Sequence, residues 1–354
     1  AGATIDELQA QMRAGSLTAR ELTAAYLQRI DHIDRAGPTL RAVIEVNPEA
    51  MEIAAARDAE RAQGRVRGLL HGIPVLIKDN IGTADRMETT AGSLAMIGAR
   101  PPRDAHVVQR LREAGAVILG KTNLSEWANY RGNRSISGWS GRGGQTLNPY
   151  ALDRSPSGSS SGSAVAVAAD LCVVAVGTET NGSIISPASV CGVVGVKPTV
   201  GLVSRSVIIP IAASYDTAGP MARTVRDAAI LLDVLAGPDQ TDAVTLKAPA
   251  RVPNSHVAAL QPGALRGKRV GIVRPASIRP NPDASLAGAV ETLRRLGAEI
   301  VEAGTLPATG RVGDVLSFEF KAGLDAYLAH LGAQSPMRSL ADLIRFNAER
   351  ASEE

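Results

Sequence analysis

Three successive stretches limit what this chain can fold into. "GIPVLIK" (72–78) and "VILGK" (117–121) are continuous apolar runs of strand length, and between them "AHVVQRLREAGA" (105–116) carries apolar residues at helical spacing. A strand that is apolar at every position is covered on both faces, as strands of parallel sheets are. Strand, helix and strand in that order join parallel neighbours by a crossover. The expected fold is therefore α/β, a parallel sheet with helices over both faces, and 354 residues suffice for one large unit or two ordinary domains. Aromatic residues make up only 3% of the 354, so the core must come from Ala, Val, Leu and Ile.

Other segments extend this order. Thr4 is followed three residues on by Glu7, and Thr18 by Glu21, two capping boxes that predict an N-terminal helical segment (about 1–36) with helices near 5–13 and 19–33. "RAVIEV" (41–46) reads as a strand and 48–63 as an Ala-rich helix. The core is expected over about 40–237, a polar surface excursion over about 239–264, and a C-terminal α/β part over 265–354. In that last part "GKRVGIV" and "AEIVEA" read as strands around a helix near 283–296. The Gly, Ser, Arg and Asn rich stretch 130–161 has no periodicity, and a loop of that length inside a compact domain is functional or disordered. The chain stops at "ERASEE" within helical text, which leads us to expect that its C-terminal part is missing. It starts at Ala1 rather than Met, which fits an excised piece or a mature form without its leader and leaves the compartment open, cytoplasmic or periplasmic and secreted alike.

Charge and cysteine usage exclude several classes. Thirty-eight Lys and Arg against 35 Asp and Glu leave a dispersed +3, no basis for a nucleic-acid surface. The longest apolar run, 163–177, is broken by Asp170 and is shorter than a membrane span, so a soluble chain is expected. Cys172 and Cys191 both lie in apolar text and read as buried free thiols, too few for a zinc site.

The serine cluster "SPSGSSSGSA" (155–164) admits three readings. A linker should separate domains, yet apolar text follows at once. A phosphate loop needs a lysine after its second glycine, and none is present. Gly158 to Gly162 fits the nucleophile elbow G-x-S-x-G with Ser160 at its centre, but the preceding "NPYALDRSP" is a poor strand, and only His256 and His330 lie downstream as bases. A second candidate is "GTETNGSII" (177–185), where an apolar strand ends in small residues that present the Ser183 hydroxyl among free backbone N–H groups. Serine needs a base, and a lysine serves only when neutral. Lys78 closes the apolar run "IPVLIK"; the alternatives are a lysine reaching to solvent or paired with Asp79.

Taken in order, "GIPVLIKDNI", "GKTNLSEWA", "GGQTLNPYALDRSPSGSSSGSAVAVAA", "GTETNGSI", "GVVGVKPTVGLVSR" and "DTAGPMARTVRDAA" resemble the amidase signature family, nearest its peptide amidase and stand-alone amidase branch. The resemblance runs from about Thr4 to the end and implies one large α/β domain with a central, mostly parallel, twisted mixed sheet covered by helices on both faces. It implies a Ser-Ser-Lys unit of Lys78, Ser159 and Ser183, with Ser159 reached through a cis peptide bond and relaying a proton from Ser183 to Lys78. It implies further an oxyanion hole of the Thr180, Asn181 and Gly182 N–H groups, a supporting role for Ser160, small-molecule or peptide amide substrates and no metal or organic cofactor. The helix that starts near Ser163 would direct its positive end at this cluster.

The chain departs from the family pattern at Ser157 and Ser161, which replace glycines, at Asn181, where glycine or aspartate is usual, and at Ile185, where arginine is common. Alternative functions remain at this stage: the amidase component of a tRNA-dependent amidotransferase, an esterase using Ser160, and a scaffold whose chemistry has lapsed.

Overall fold

The computed structural model describes residues 2–247, 255–273, 283–304, 310 and 312–351. Both N-terminal capping boxes form: Thr4 Oγ1 accepts the Glu7 N–H while Glu7 Oε2 accepts that of Thr4, and Thr18 and Glu21 repeat the exchange. They open α1 (Ile5–Arg13) and α2 (Ala19–Arg29). The second helix leaves α geometry earlier than the sequence suggests, passing into a π-helical turn at Ile30–Arg35.

Next come β1 (Val43–Val46), α3 (Ala50–Ala62), β2 (Pro74–Lys78), α4 (His106–Glu113) and β3 (Val117–Thr122). The aperiodic stretch then makes a two-stranded ribbon, β4 (Trp139–Ser140) and β5 (Gly144–Gln145), before α5 (Ser161–Ala168), β6 (Val174–Glu179), α6 (Ile185–Val190), β7 (Val194–Gly195), β8 (Thr217–Ala222) and α7 (Val225–Leu235). The remaining elements are β9 (Arg269–Ile272), α8 (Asp283–Arg295), β10 (Glu299–Glu302), α9 (Val312–Leu331) and α10 (Leu340–Glu349).

Six strands form a mixed sheet in the order β1-β3-β2-β6-β8-β7. The parallel pairings are confined to its centre, β3 with β2 and β2 with β6; β1, β8 and β7 join antiparallel. The sheet is thus less parallel than the alternation alone implies, because β8 returns beside β6 without a crossover. Every residue of β2, β3, β6 and β8 is buried. Successive residues of a strand point to opposite faces, so the flanking helices cover both.

The chain divides into two compact units, Ala1–Val252 with Val315–Glu354, and Pro253–Asp314. The second holds β9 paired in parallel with β10, Arg269 opposite Glu299, and helix α8. The stretch read as a surface excursion differs from expectation at its start: Asp239, Asp242 and Thr245 are buried and bonded to the 204–206 segment or to one another. Hydroxyl and guanidinium partners there satisfy the carboxylates, so polarity did not mean exposure. Positions 248–254 of that stretch lie outside the described residues, as do 352–354 of the closing helical text. Cys172 and Cys191 are buried free thiols, as expected. Among the described residues no helix is long and apolar enough to cross a membrane.

Candidate active site

Strands β2 and β6 run parallel, with Ile77 opposite Val176, so their C-terminal ends, Lys78 and Thr178–Glu179, emerge at the same edge of the sheet. That edge is where sheets of this class bind ligands. The Lys78 side chain is completely buried, and its Nζ lies 2.8 Å from Ser159 Oγ, 2.9 Å from Thr178 Oγ1 and 3.2 Å from the Thr178 carbonyl. Among the described residues no carboxylate comes within ion-pairing distance of it. Asp79 instead turns its Oδ2 to the Thr90 hydroxyl and the Gly92 N–H, and its Oδ1 faces Arg142 at 3.7 Å. Burial pushes the Lys78 amine from its ordinary 10.5 down to about 7, with Asp216 and Glu179 pulling it back only in part. A neutral amine at that position has a lone pair to accept a proton.

Ser159 follows a cis peptide bond from Gly158 and precedes α5, whose N-cap is Ser160. The helix thus starts two residues after Ser159, and its positive end disfavours a charged lysine there. The Ser160 hydroxyl is fully committed, donating to the Thr178 carbonyl at 3.0 Å and accepting the Thr178 N–H at 3.2 Å, while the Ser160 N–H donates to the Ser183 carbonyl at 3.1 Å. Ser160 therefore ties three segments together from behind, whereas Ser159 and Ser183 line a cavity of about 440 Å³. Among the described residues no hydrogen bond joins the Ser159 and Ser183 hydroxyls; the two side chains meet as walls of that cavity.

The turn that presents Ser183 is set by Glu179. Its carboxylate accepts the N–H groups of Gly182 at 2.7 Å, Ile184 at 2.7 Å and Ile185 at 3.0 Å, closing the chain around Ser183 and into α6. The Gly182 donor is therefore occupied, while the N–H groups of Thr180 and Asn181 have no acceptor among the described residues. Asp216 holds the other side of this turn, accepting from the Thr180 hydroxyl at 2.5 Å and from the Ile211 and Ala212 N–H groups at 2.8 and 3.0 Å. Burial keeps its carboxyl above the usual range against those bonds.

The sequence reading passed over Thr178, Glu179, Asn80 and Asp216. Asn80 lines the cavity and donates to Thr178 Oγ1 at 3.0 Å, so Lys78 and Asn80 share one hydroxyl. A signal for Glu179 was present: a carboxylate four residues before Ser183 and just ahead of a helix start is placed to hold N–H groups. Nothing local marked Asp216 or the apolar wall Ile208–Ile211, which packing brings in from a distance.

A cavity at the carboxyl edge of a mixed α/β sheet, lined by the Ser159 and Ser183 hydroxyls with the buried Lys78 amine bonded to Ser159, has the arrangement of a serine hydrolase. A family model described as Amidase matches residues 21–352, and the chain belongs to the amidase family. The native peptide amidase of Stenotrophomonas maltophilia is 56% identical with a TM-score of 0.95, over 100% of this chain and 73% of that one. A protein of Arabidopsis thaliana described as a probable amidase is 46% identical over 363 residues, 99% of this chain and 69% of the relative. A component of the glutamyl-tRNA(Gln) amidotransferase of Chloroflexus aurantiacus is 44% identical over 310 residues, 86% of this chain and 61% of the relative.

Proposed function

We propose that the chain hydrolyses carboxylic amides, or the C-terminal amides of peptides, to acid and ammonia through an acyl-enzyme on Ser183. Ser183 Oγ attacks the amide carbon as its proton passes to Ser159 Oγ and the Ser159 proton passes to Lys78 Nζ. A hydroxyl both donates and accepts, so Ser159 can carry this transfer. The developing oxyanion is met by the N–H groups of Thr180 and Asn181, joined by Gly182 if substrate draws its N–H away from Glu179. The C–N bond then breaks, and the nitrogen leaves with the proton returned from Lys78 through Ser159. Water enters by the same route, attacks the ester and releases the acid. Every proton has a protein carrier, so the route calls for no metal or organic cofactor.

The observation that carries this reading is the buried, carboxylate-free Lys78 amine at 2.8 Å from Ser159 Oγ. The resemblance to the peptide amidase over the whole chain favours amides as substrates over the tRNA-linked reaction of the more distant amidotransferase components.

Ammonia release from a panel of simple amides, peptide amides and glutamine tests it. Ser183→Ala is expected to lower the rate by on the order of 10⁴-fold or more, the size of effect seen when a nucleophile is removed. Ser160→Ala should retain appreciable activity. The reverse order of severity would make Ser160 the nucleophile. Failure of a fluorophosphonate to label Ser183 in the folded protein would point to a lapsed scaffold.

A further inference from the structure

Four charged side chains line the cavity beside Ser183: Glu179, Arg205, Asp216 and Asp242. Each is already spent within the protein. Glu179 holds three N–H groups of the Ser183 turn, and Asp216 holds the Thr180 hydroxyl and two N–H groups. Arg205 gives Nε and Nη2 to the two oxygens of Asp242 at 2.9 and 2.5 Å, and Nη1 to the Ala213 carbonyl. The same Asp242 carboxylate also receives the Arg205 backbone N–H at 2.9 Å. Glu319, whose charge reaches Arg205 as that of Asp216 does, is engaged by the Ser214 N–H and hydroxyl.

We propose that Asp242 masks Arg205 and thereby makes this cavity select uncharged acyl groups, an inference that rests on the amidase reading above. Arg205 is the one cation among the described lining residues. A planar guanidinium fork binds one carboxylate in two parallel bonds, and here that carboxylate belongs to the protein. A substrate bearing its own carboxylate would have to displace a buried acid held by three N–H donors, or stay unpaired against Ile208, Ile209 and Ile211. Both alternatives leave a desolvated charge without a partner. The preferred substrates are therefore amides of aliphatic or aromatic acyl groups and of N-blocked amino acids. Free glutamine and other amides with a carboxylate close to the scissile bond are poor ones.

The test compares pentanamide with succinamate, similar in length and differing by one negative charge. The wild-type chain should favour pentanamide in kcat/KM by about 100-fold, the scale on which a pocket rejects an unpaired group. Asp242→Asn should narrow that ratio by about tenfold or more, chiefly by improving succinamate, because the freed fork can then bind its carboxylate. In Arg205→Gln/Asp242→Asn the preference for pentanamide should return, since the cation is gone. If the double variant kept the gain for succinamate, repulsion by Asp242 alone would be its source and the masking idea would fail. It would fail equally if the wild-type ratio lay near one or favoured succinamate. Should the variants not fold, inhibition of the wild type by pentanoate and by succinate decides the matter, with stronger inhibition by succinate overturning it. Failure of the amidase reading looks different, since neither amide would then release ammonia from the wild type.

Discussion

At Lys78 two influences oppose each other. Three acceptors surround Nζ and favour the ammonium, while complete burial favours the amine; burial prevails, leaving the group at about 7. In the proposed mechanism only the amine can take the Ser159 proton, so kcat/KM should rise with pH through an inflection near 7 and then level off. Thr178→Val removes the hydroxyl acceptor at 2.9 Å, which stabilises the charged form, and should move that inflection to lower pH. Rate profiles from about pH 5 to 10 check both; an inflection that stayed put or moved upward would mean that another group limits the rate. In the fold Lys78 is completely buried; the run "IPVLIK" placed it at the end of an apolar strand but left open an amine that reaches solvent or pairs with Asp79. Its acceptor Thr178 could not be read there, since the pairing spans 100 positions and depends on which strand lies beside β2.

Among the elements, those governed by neighbouring residues were legible and those governed by distant ones were not. The capping boxes at Thr4 and Thr18 predicted the starts of α1 and α2 because their partners sit three residues away. Strand β8 gave no signal: "TAGPMA" holds a glycine and a proline, both poor strand formers. It forms because β6 and β7 flank it, and the two residues that disguise it fit that position. The Pro220 carbonyl accepts the Val196 N–H at 3.1 Å, and Gly219 lies so close to the Val196 carbonyl that a Cβ would overlap it. Gly219→Ala should therefore cost about 1–3 kcal/mol, as overpacking does, with no polar partner lost. Urea unfolding measures this, with Thr18→Ala, expected to cost about 1 kcal/mol, as a surface comparator. Equal stability of Gly219→Ala and wild type would mean that β8 and the Val196 turn can separate without penalty.

For the molecule as a whole, the parallel centre of the sheet could be read from its continuous apolar runs, but the cavity could not. Much of its wall comes from 205–216, with the apolar Ile208, Ile209 and Ile211, and from Thr241 and Asp242 in polar text, two segments joined where Arg205 meets Asp242 and the Ser204 and Ser206 hydroxyls meet Asp239. The same interior makes stability depend on pH in a definite direction. Folding holds Lys78 at about 7 and Lys121 at about 8 against an ordinary 10.5, so between those values the unfolded chain binds more protons and stability rises with pH. That contribution is complete above the unfolded value and is lost as pH falls through the folded one. The buried thiols act oppositely: Cys172 and Cys191, pushed from 9.0 up to about 12, stay protonated in the fold while the unfolded chain releases its protons, so stability declines above about 9. Tyr26 and Tyr327, raised by burial, add to that decline at higher pH. The Lys78 share can be isolated by following the Tm of wild type and Lys78→Met from about pH 7 to 10.5. The variant has no amine to titrate, so the wild-type chain should gain stability relative to it by up to about 1.4 kcal/mol per pH unit across that interval. Parallel curves would mean that folded Lys78 keeps its proton at neutral pH, and Ser159 would then have no base to pass a proton to.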